Sequence, residues 1–225
     1  MNILHIATGS SGNCTLVNKI MIDCGVKTKV TPEILCITHT HSDHIGKPPY
    51  TELRRILQHA RLVTSLEVYE DLLNKVSFKG LVQQQYALDG FAQQYHGDYT
   101  ITPIPMHHDV PCVGFLIEKE QRYLHITDTV KVDITDNIKN CDYISIEANY
   151  DITLLESNTL NGRRHAFVQE RVKDTGHLSN DATAKILGEI MGNRTKKVWL
   201  IHVSKDNNHE ILLKNTFKDE RIEIA

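Results

Sequence analysis

The chain has 225 residues, with Lys+Arg 25 against Asp+Glu 28, a formal net charge of -3, 40% hydrophobic residues and 24% charged. This is an ordinary globular composition, and its mild acidity excludes a protein held on nucleic acid by bulk positive charge alone, because counterion release needs a dense Lys/Arg surface. A local basic cleft stays open, and the length suits one domain over residues 1–225 with a sizeable core.

No run of about 18 apolar residues is present. Met1-Asn2-Ile3-Leu4-His5 lacks the basic and apolar stretches of a targeting segment, so a cytoplasmic location is expected. Cys14, Cys24, Cys36, Cys112 and Cys141 form no C-x-x-C pair, and three of them fall in strand-like runs. They read as reduced, buried small apolar residues rather than a disulfide framework or a cysteine zinc site. The compositional outlier is 13 histidines, several of them clustered.

In chain order, residues 2–7 predict a strand, followed by the turn-rich Thr8-Gly9-Ser10-Ser11-Gly12-Asn13. Cys14 to Val17 and Ile20 to Ile22, separated by Asn18-Lys19, predict a hairpin. Ile34 to Thr38 predicts a strand that ends at the densest histidine cluster. Leu53, Ile56, Leu57 and Ala60 recur at helical spacing, as do Leu66, Tyr69, Leu72, Leu73 and Val76. From Leu81 to Thr129 the texture turns to short strands, including Tyr99 to Ile104, Val113 to Glu118 and Tyr123 to Thr127. Asp142 to Ile146 predicts a strand, and Asn180 an N-cap for a helix whose face is Ala182, Ile186, Leu187, Ile190 and Met191. Lys197 to Ile201 predicts the last central strand, before a helix from about Asn208 to Phe217. The alternation of strand and helix blocks predicts an α/β fold of two sheets with helices outside.

Chemistry concentrates in Thr38-His39-Thr40-His41-Ser42-Asp43-His44, between a predicted strand and a helix. His39 and His41 can point one way from a strand-end loop, while Asp43 and His44 reach round a turn, so one segment can serve two ions. Imidazole with carboxylate suits Zn²⁺, Mn²⁺ or Fe rather than a calcium cage.

This segment, with what surrounds it, resembles the metallo-β-lactamase-fold hydrolase superfamily over nearly the whole chain, and RNase Z-like phosphodiesterases more distantly. Asp23 in Ile22-Asp23-Cys24-Gly25 matches the first motif, and His39-x-His41-x-Asp43-His44 the second. The third is a lone His, for which His107 and His108 are adjacent candidates; His108 is preferred, because His-Asp followed by Pro111 and Gly114 is the subgroup pattern. Asp128 after a strand and His202 after a late strand match the fourth and fifth. Taken singly, Asp23 and Asp128 could be strand-end caps and His202 a structural histidine; their order beside the hexapeptide favours the family reading. The segments Gly9–Asn13, Glu147–Asp151, Gly176–Asn180 and His202–Asn208 look like the YycJ (WalJ) branch. Where that branch has Glu-Ser-Asn-His-Asp, this chain has Glu147-Ala148-Asn149-Tyr150-Asp151, and it is shorter around 152–176, which leaves substrate scope open.

The resemblance implies a four-layer αββα sandwich of two mixed sheets with helices on the outer faces. It implies two divalent ions, Zn²⁺ or Mn²⁺: one on His39, His41 and His108, the other on Asp43, His44 and His202, with Asp128 bridging. Asp23 would orient a ligand, and His107 is kept as a residue behind the ligands or an alternative to His108. Asp43 and His177 are the candidate catalytic residues. His177 stands just before a predicted helix start and would hold or protonate a phosphate oxygen, although a capping or core histidine reads almost the same. Ser10, Ser11, Asn13, Asn149, Ser204, Lys205 and Asn207 are candidate phosphate donors beside it, or simply polar turn residues. His5, His59, His96, His125, His165 and His209 read as ordinary core or surface histidines.

The activity implied is metal-dependent phosphodiester hydrolysis, first as a nuclease acting from a DNA or RNA end. The alternative is a phosphodiesterase for cyclic nucleotides of signalling or anti-phage defence. A thioester, lactone or β-lactam hydrolase would use the same metals without Lys205 or His177, and a non-catalytic metal-stabilised binding protein is the remaining class. A homodimer is compatible with the superfamily, but no stripe in the sequence marks its interface.

Overall fold

The computed structural model describes residues 1–76, 85–88, 94–163 and 172–225. His165 and the Leu81 start of the predicted strand block lie outside these residues.

The first sheet has six strands in the order β1-β2-β3-β4-β5-β6: β1 (Ile3–Ala7), β2 (Cys14–Val17), β3 (Ile20–Ile22), β4 (Ile34–Cys36), β5 (Arg61–Ser65) and β6 (Gln85–Leu88). Its hairpin falls where the sequence predicts, with Val17 opposite Ile20 and Asn18 in the left-handed turn conformation that asparagine tolerates. From β3 onward the neighbours are parallel, and β4 is buried along its length, as parallel strands covered on both faces are. Helices α1 (Ser42–Ile45), α2 (Thr51–Leu57) and α3 (Leu66–Lys75) connect them. Leu53, Ile56 and Leu57 of α2 are buried at the predicted spacing, but α3 turns a different face inward: Leu72 and the following Val76 are buried as predicted, Val68 joins them, and Leu66 and Leu73 are exposed with Tyr69 half-buried. Ser65 caps α3 by accepting from the Val68 amide.

The second sheet has seven strands in the order β13-β12-β11-β10-β9-β8-β7. These are β7 (Gln94–His96), β8 (Tyr99–Met106), β9 (Cys112–Glu118), β10 (Arg122–Ile126), β11 (Tyr143–Glu147), β12 (Lys197–Ile201) and β13 (Ile222–Ile224). β10 to β13 run parallel, pairing Ile146 with Ile126 and with Leu200. The polar residues inside this parallel block are satisfied locally: the Tyr123 hydroxyl donates to Ser145 Oγ at 2.8 Å and lies 2.9 Å from His125 Nδ1.

Helices α4 (Ile152–Leu160), α5 (Asn180–Ile190) and α6 (Glu210–Thr216) complete the chain. The cap of α5 is Ser179, not Asn180: the Ser179 hydroxyl accepts from the Ala182 amide, while the Asn180 side chain turns inward to Asn208. Thr183 replaces Ala182 on the buried face, because its hydroxyl donates to the Glu147 carbonyl at 2.7 Å. Among the described residues β5, α1, α4 and β13 went unpredicted, as did the short helical turns Asp136–Ile138 and Val172–Gly176.

Two compact units follow from the contacts: Met1–Pro105 with Val110–Phe115, and Met106–Asp109 with Leu116–Ala225. All five cysteines are buried as thiols, and burial pushes Cys14 up to about 12, which removes it as a nucleophile at neutral pH. Among the described residues no helix is long and apolar enough to cross a membrane.

Candidate metal centre

In the first unit, β4 ends at Cys36 and delivers Thr38 to His44 as a loop running into α1. Asp23, one residue past β3, adopts φ 59°, a left-handed conformation uncommon for a non-glycine residue. This turns its carboxylate onto the loop: Oδ1 accepts from the Thr38 amide at 2.9 Å, and Oδ2 accepts from the Thr38 hydroxyl at 2.8 Å and from His44 Nδ1 at 2.7 Å.

These bonds fix two tautomers. A carboxylate oxygen accepts here, so His44 carries its proton on Nδ1, and the lone pair of its Nε2 faces the Asn13 amide at 2.9 Å. The Thr38 hydroxyl has given its one proton to Asp23, so at 3.1 Å it accepts from His39 Nδ1, which leaves the His39 lone pair on Nε2 as well. The His39 and His41 rings stand 4.7 Å apart, and those of His39 and His44 4.0 Å. Asp43 Oδ2 lies 3.5 Å from His44 Nε2.

Backbone packing holds this arrangement. The Asn13 amide donates to the Asp43 carbonyl at 2.7 Å, and Cys24 donates to the His44 carbonyl at 2.8 Å. Gly25 lies so close that a Cβ there would stand 1.7 Å from the Asp43 carbonyl oxygen, so only glycine fits.

In the second unit the site is assembled from strand ends. Asp128 follows β10 and His202 follows β12, both at positive φ, 51° and 52°. With Glu147, the last residue of β11, and His177, they place one ligand atom each within 4.8 Å of one another. His177 Nδ1 is 3.1 Å from Glu147 Oε2 and 3.4 Å from Asp128 Oδ1. His202 Nδ1 is 3.5 Å from Glu147 Oε2, and its Nε2 is 3.7 Å from Asp128 Oδ1.

The Glu147 carboxylate also accepts from the Thr129 amide at 2.8 Å and the Leu178 amide at 3.1 Å. Burial works against its charge, but His177 and His202 outweigh that and hold the carboxyl below its ordinary range. Sequence reasoning noted Glu147 only as part of a motif. Its signal was a lone acid closing the otherwise buried run Tyr143-Ile144-Ser145-Ile146.

His108 and His107 diverge. The His108 side chain is 3% exposed; its Nδ1 donates to the Gly176 carbonyl at 3.1 Å, and its Nε2 lies 3.2 Å from Asp109 Oδ1. The His107 side chain is 46% exposed, with Nε2 2.7 Å from Asp133, and its tie to the site is a backbone amide donated to Thr129.

The expected phosphate donors also divide. Ser10, Ser11 and Lys205 are exposed and Ser204 is half-buried, accepting from the Asn207 amide. Asn13, Asn149 and Asn207 are buried, and their side chains are committed to protein groups, as buried amides must be. Asn13 donates toward His44 Nε2 at 2.9 Å, Asn149 donates to the His202 carbonyl at 2.7 Å, and Asn207 accepts from Asn158 at 3.0 Å. Asn13 and Asn149 brace candidate ligands, whereas Asn207 ties its loop to Asn158 of α4.

Imidazole lone pairs beside carboxylates, on strand ends stiffened by buried hydrogen bonds, form a donor set that fits a divalent ion. Residues 23–203 match the family model described as a beta-lactamase superfamily domain, and the chain belongs to this family of metal-dependent hydrolases. Exodeoxyribonuclease WalJ of Streptococcus pneumoniae is 29% identical over 235 residues, covering 90% of this chain and 81% of that protein. Exodeoxyribonuclease YycJ of Bacillus anthracis is 24% identical over 225 residues, covering 90% and 82%. The metallo-beta-lactamase fold protein YhfI from Bacillus subtilis aligns with a TM-score of 0.70 at 18% identity, over 99% of this chain and 95% of that one.

Proposed function

We propose that residues 1–225 act as one domain that hydrolyses phosphodiester bonds, as an exonuclease working from the end of a DNA or RNA strand. The observation that carries this reading is the Asp128–Glu147–His177–His202 group, in which a buried carboxylate grips an imidazole that is not among the five family motifs. The likeness to proteins named exodeoxyribonucleases supports the same substrate class.

In this reading His39, His41, His108, Asp43, His44, His202 and Asp128 would hold the two divalent ions, Zn²⁺ or Mn²⁺. When bound, the ions supply Lewis acidity, acidifying water and neutralising phosphate charge. Asp23 orients His44, and Glu147 orients His202. His177 has its Nδ1–H directed at Glu147, so Nε2 faces away from the carboxylate and gives its proton to the leaving oxygen. Lys205, Ser10, Ser11 and Ser204 would supply donors to substrate phosphates, and Asp43 would serve as ligand and base. The compartment proposed is the cytoplasm, in keeping with five buried thiols.

The test is hydrolysis of end-labelled single- and double-stranded DNA and RNA with Mn²⁺ or Zn²⁺, beside 3′,5′-cyclic nucleotides, with His39→Ala as control. Progressive shortening that the control lacks is the expected result. Opening of cyclic nucleotides without strand shortening would replace the exonuclease reading with the cyclic-nucleotide alternative.

A further inference from the structure

Thr40 lies between His39 and His41 and is 3% exposed. Side chains alternate along extended backbone, and the two flanking rings stand 4.7 Å apart, so the imidazoles share one direction and Thr40 takes the other. Its hydroxyl meets α3. It donates to Asp71 Oδ2 and accepts from Lys75 Nζ at 2.5 Å, and Lys75 lies 3.3 Å from Asp71.

The loop has backbone anchors on either side. The Thr38 carbonyl accepts from Val113 at 2.9 Å, and the His41 carbonyl accepts from His44 at 2.9 Å. Between them Thr40 adds a side-chain anchor, used in both its donor and acceptor roles by charged groups, which make stronger hydrogen bonds than neutral ones. Asp71 and Lys75 sit one turn apart on a capped helix whose Val68 and Leu72 are buried, so the anchor is tied to a rigid element.

We propose that Asp71 and Lys75 clamp Thr40 and thereby hold His39 and His41 at the spacing a divalent ion requires. All three are positioning residues. The inference rests on the reading that His39 and His41 bind an ion.

The experiment measures Zn²⁺ affinity by chelator competition and the electronic spectrum of the Co²⁺-loaded protein. It uses the wild type, His39→Ala, Thr40→Val, Thr40→Ser, Asp71→Asn and Lys75→Met. Thr40→Val should weaken Zn²⁺ binding about tenfold, the scale of residues that orient ligands, and shift the Co²⁺ bands. Thr40→Ser should restore both, and the α3 variants should move both readouts in the same direction by less. A folded Thr40→Val with wild-type affinity and spectrum, while His39→Ala loses the ion, overturns the clamp alone. If His39→Ala binds as well as the wild type, the ligand reading fails and the clamp with it. Should Thr40→Val not fold, Asp71→Asn and Lys75→Met decide: unchanged affinity in both overturns the proposal.

Discussion

In the first unit one carboxylate, Asp23, orients a contiguous run of ligand candidates, reaching Thr38 and His44 with two oxygens. In the second, Glu147 serves imidazoles that arrive from residues 177 and 202, distant in sequence from it and from each other. Both carboxylates are buried, with Asp23 at 1% and Glu147 at 0% exposure, and both bind backbone amides as well as imidazoles. They differ in what happens when the acid is lost. Without Asp23, His44 is still carried by α1 and by the backbone bonds of its own loop. Without Glu147, His177 and His202 lose the group that brings them together, so the dispersed half depends more on one residue.

The largest effect should come from the second unit. Asp128→Ala removes a carboxylate that lies 3.4 Å from His177 and 3.7 Å from His202, and turnover should fall to background with metal content reduced; an active, fully metallated variant would break the reading of this half. Next come the two orienting acids compared directly. Glu147→Gln and Asp23→Asn should each cost about 10- to 100-fold in metal affinity, with Glu147→Gln the more damaging. Chelator competition reads this, and equal losses would erase the contrast between a contiguous and a dispersed half.

Gly25→Ala probes packing in the first unit alone. The new Cβ meets the Asp43 carbonyl, so the variant should lose about 1–3 kcal/mol by denaturant melts and bind metal less tightly. A variant as stable as the wild type would show that the loop has slack.

The smallest effect lies away from the metal ligands, at Asp142. Burial opposes its charge, but the Arg122 amide, Lys196 and Arg194 outweigh that and keep its carboxyl below the usual range. A depressed folded pKa contributes stability that is present above the unfolded value of about 3.9 and is lost as pH falls through the folded value. Because Lys196 and Arg194 are half-exposed, Asp142→Asn should cost about 1 kcal/mol or less at neutral pH, and the difference from the wild type should shrink below about pH 4. Thermal melts across that range check the sign.

The hexapeptide was legible because its chemistry is local: four metal-competent side chains within six consecutive residues need no fold to be noticed. Asp23, Asp128 and His202 were legible as single acids or histidines closing apolar runs, once the family order joined them. Glu147 was not picked out as a site residue, because one acid at the end of a strand looks the same whether it faces solvent or two imidazoles. The asparagines misled for the converse reason. A turn rich in amides reads as a set of outward donors, whereas burial obliges Asn13, Asn149 and Asn207 to find partners inside.

The same division runs through the fold. Hairpin register, the apolar face of α2 and the cysteines' burial follow from residue spacing, which acts over a few positions, whereas α3 buries Val68 in place of the predicted Leu66 and Leu73. β13 has three residues and gains its place by pairing with β12, from Ile222 opposite Val198 to Ile224 opposite Leu200, and α5 takes Thr183 rather than Ala182 onto its buried face because Glu147 offers a carbonyl there. By itself, then, the sequence determined which side chains are candidate ligands and the alternation of strands and helices. Tertiary structure decided which carboxylate orients which imidazole and which polar side chains turn inward, because a buried donor's partner is chosen by proximity in space.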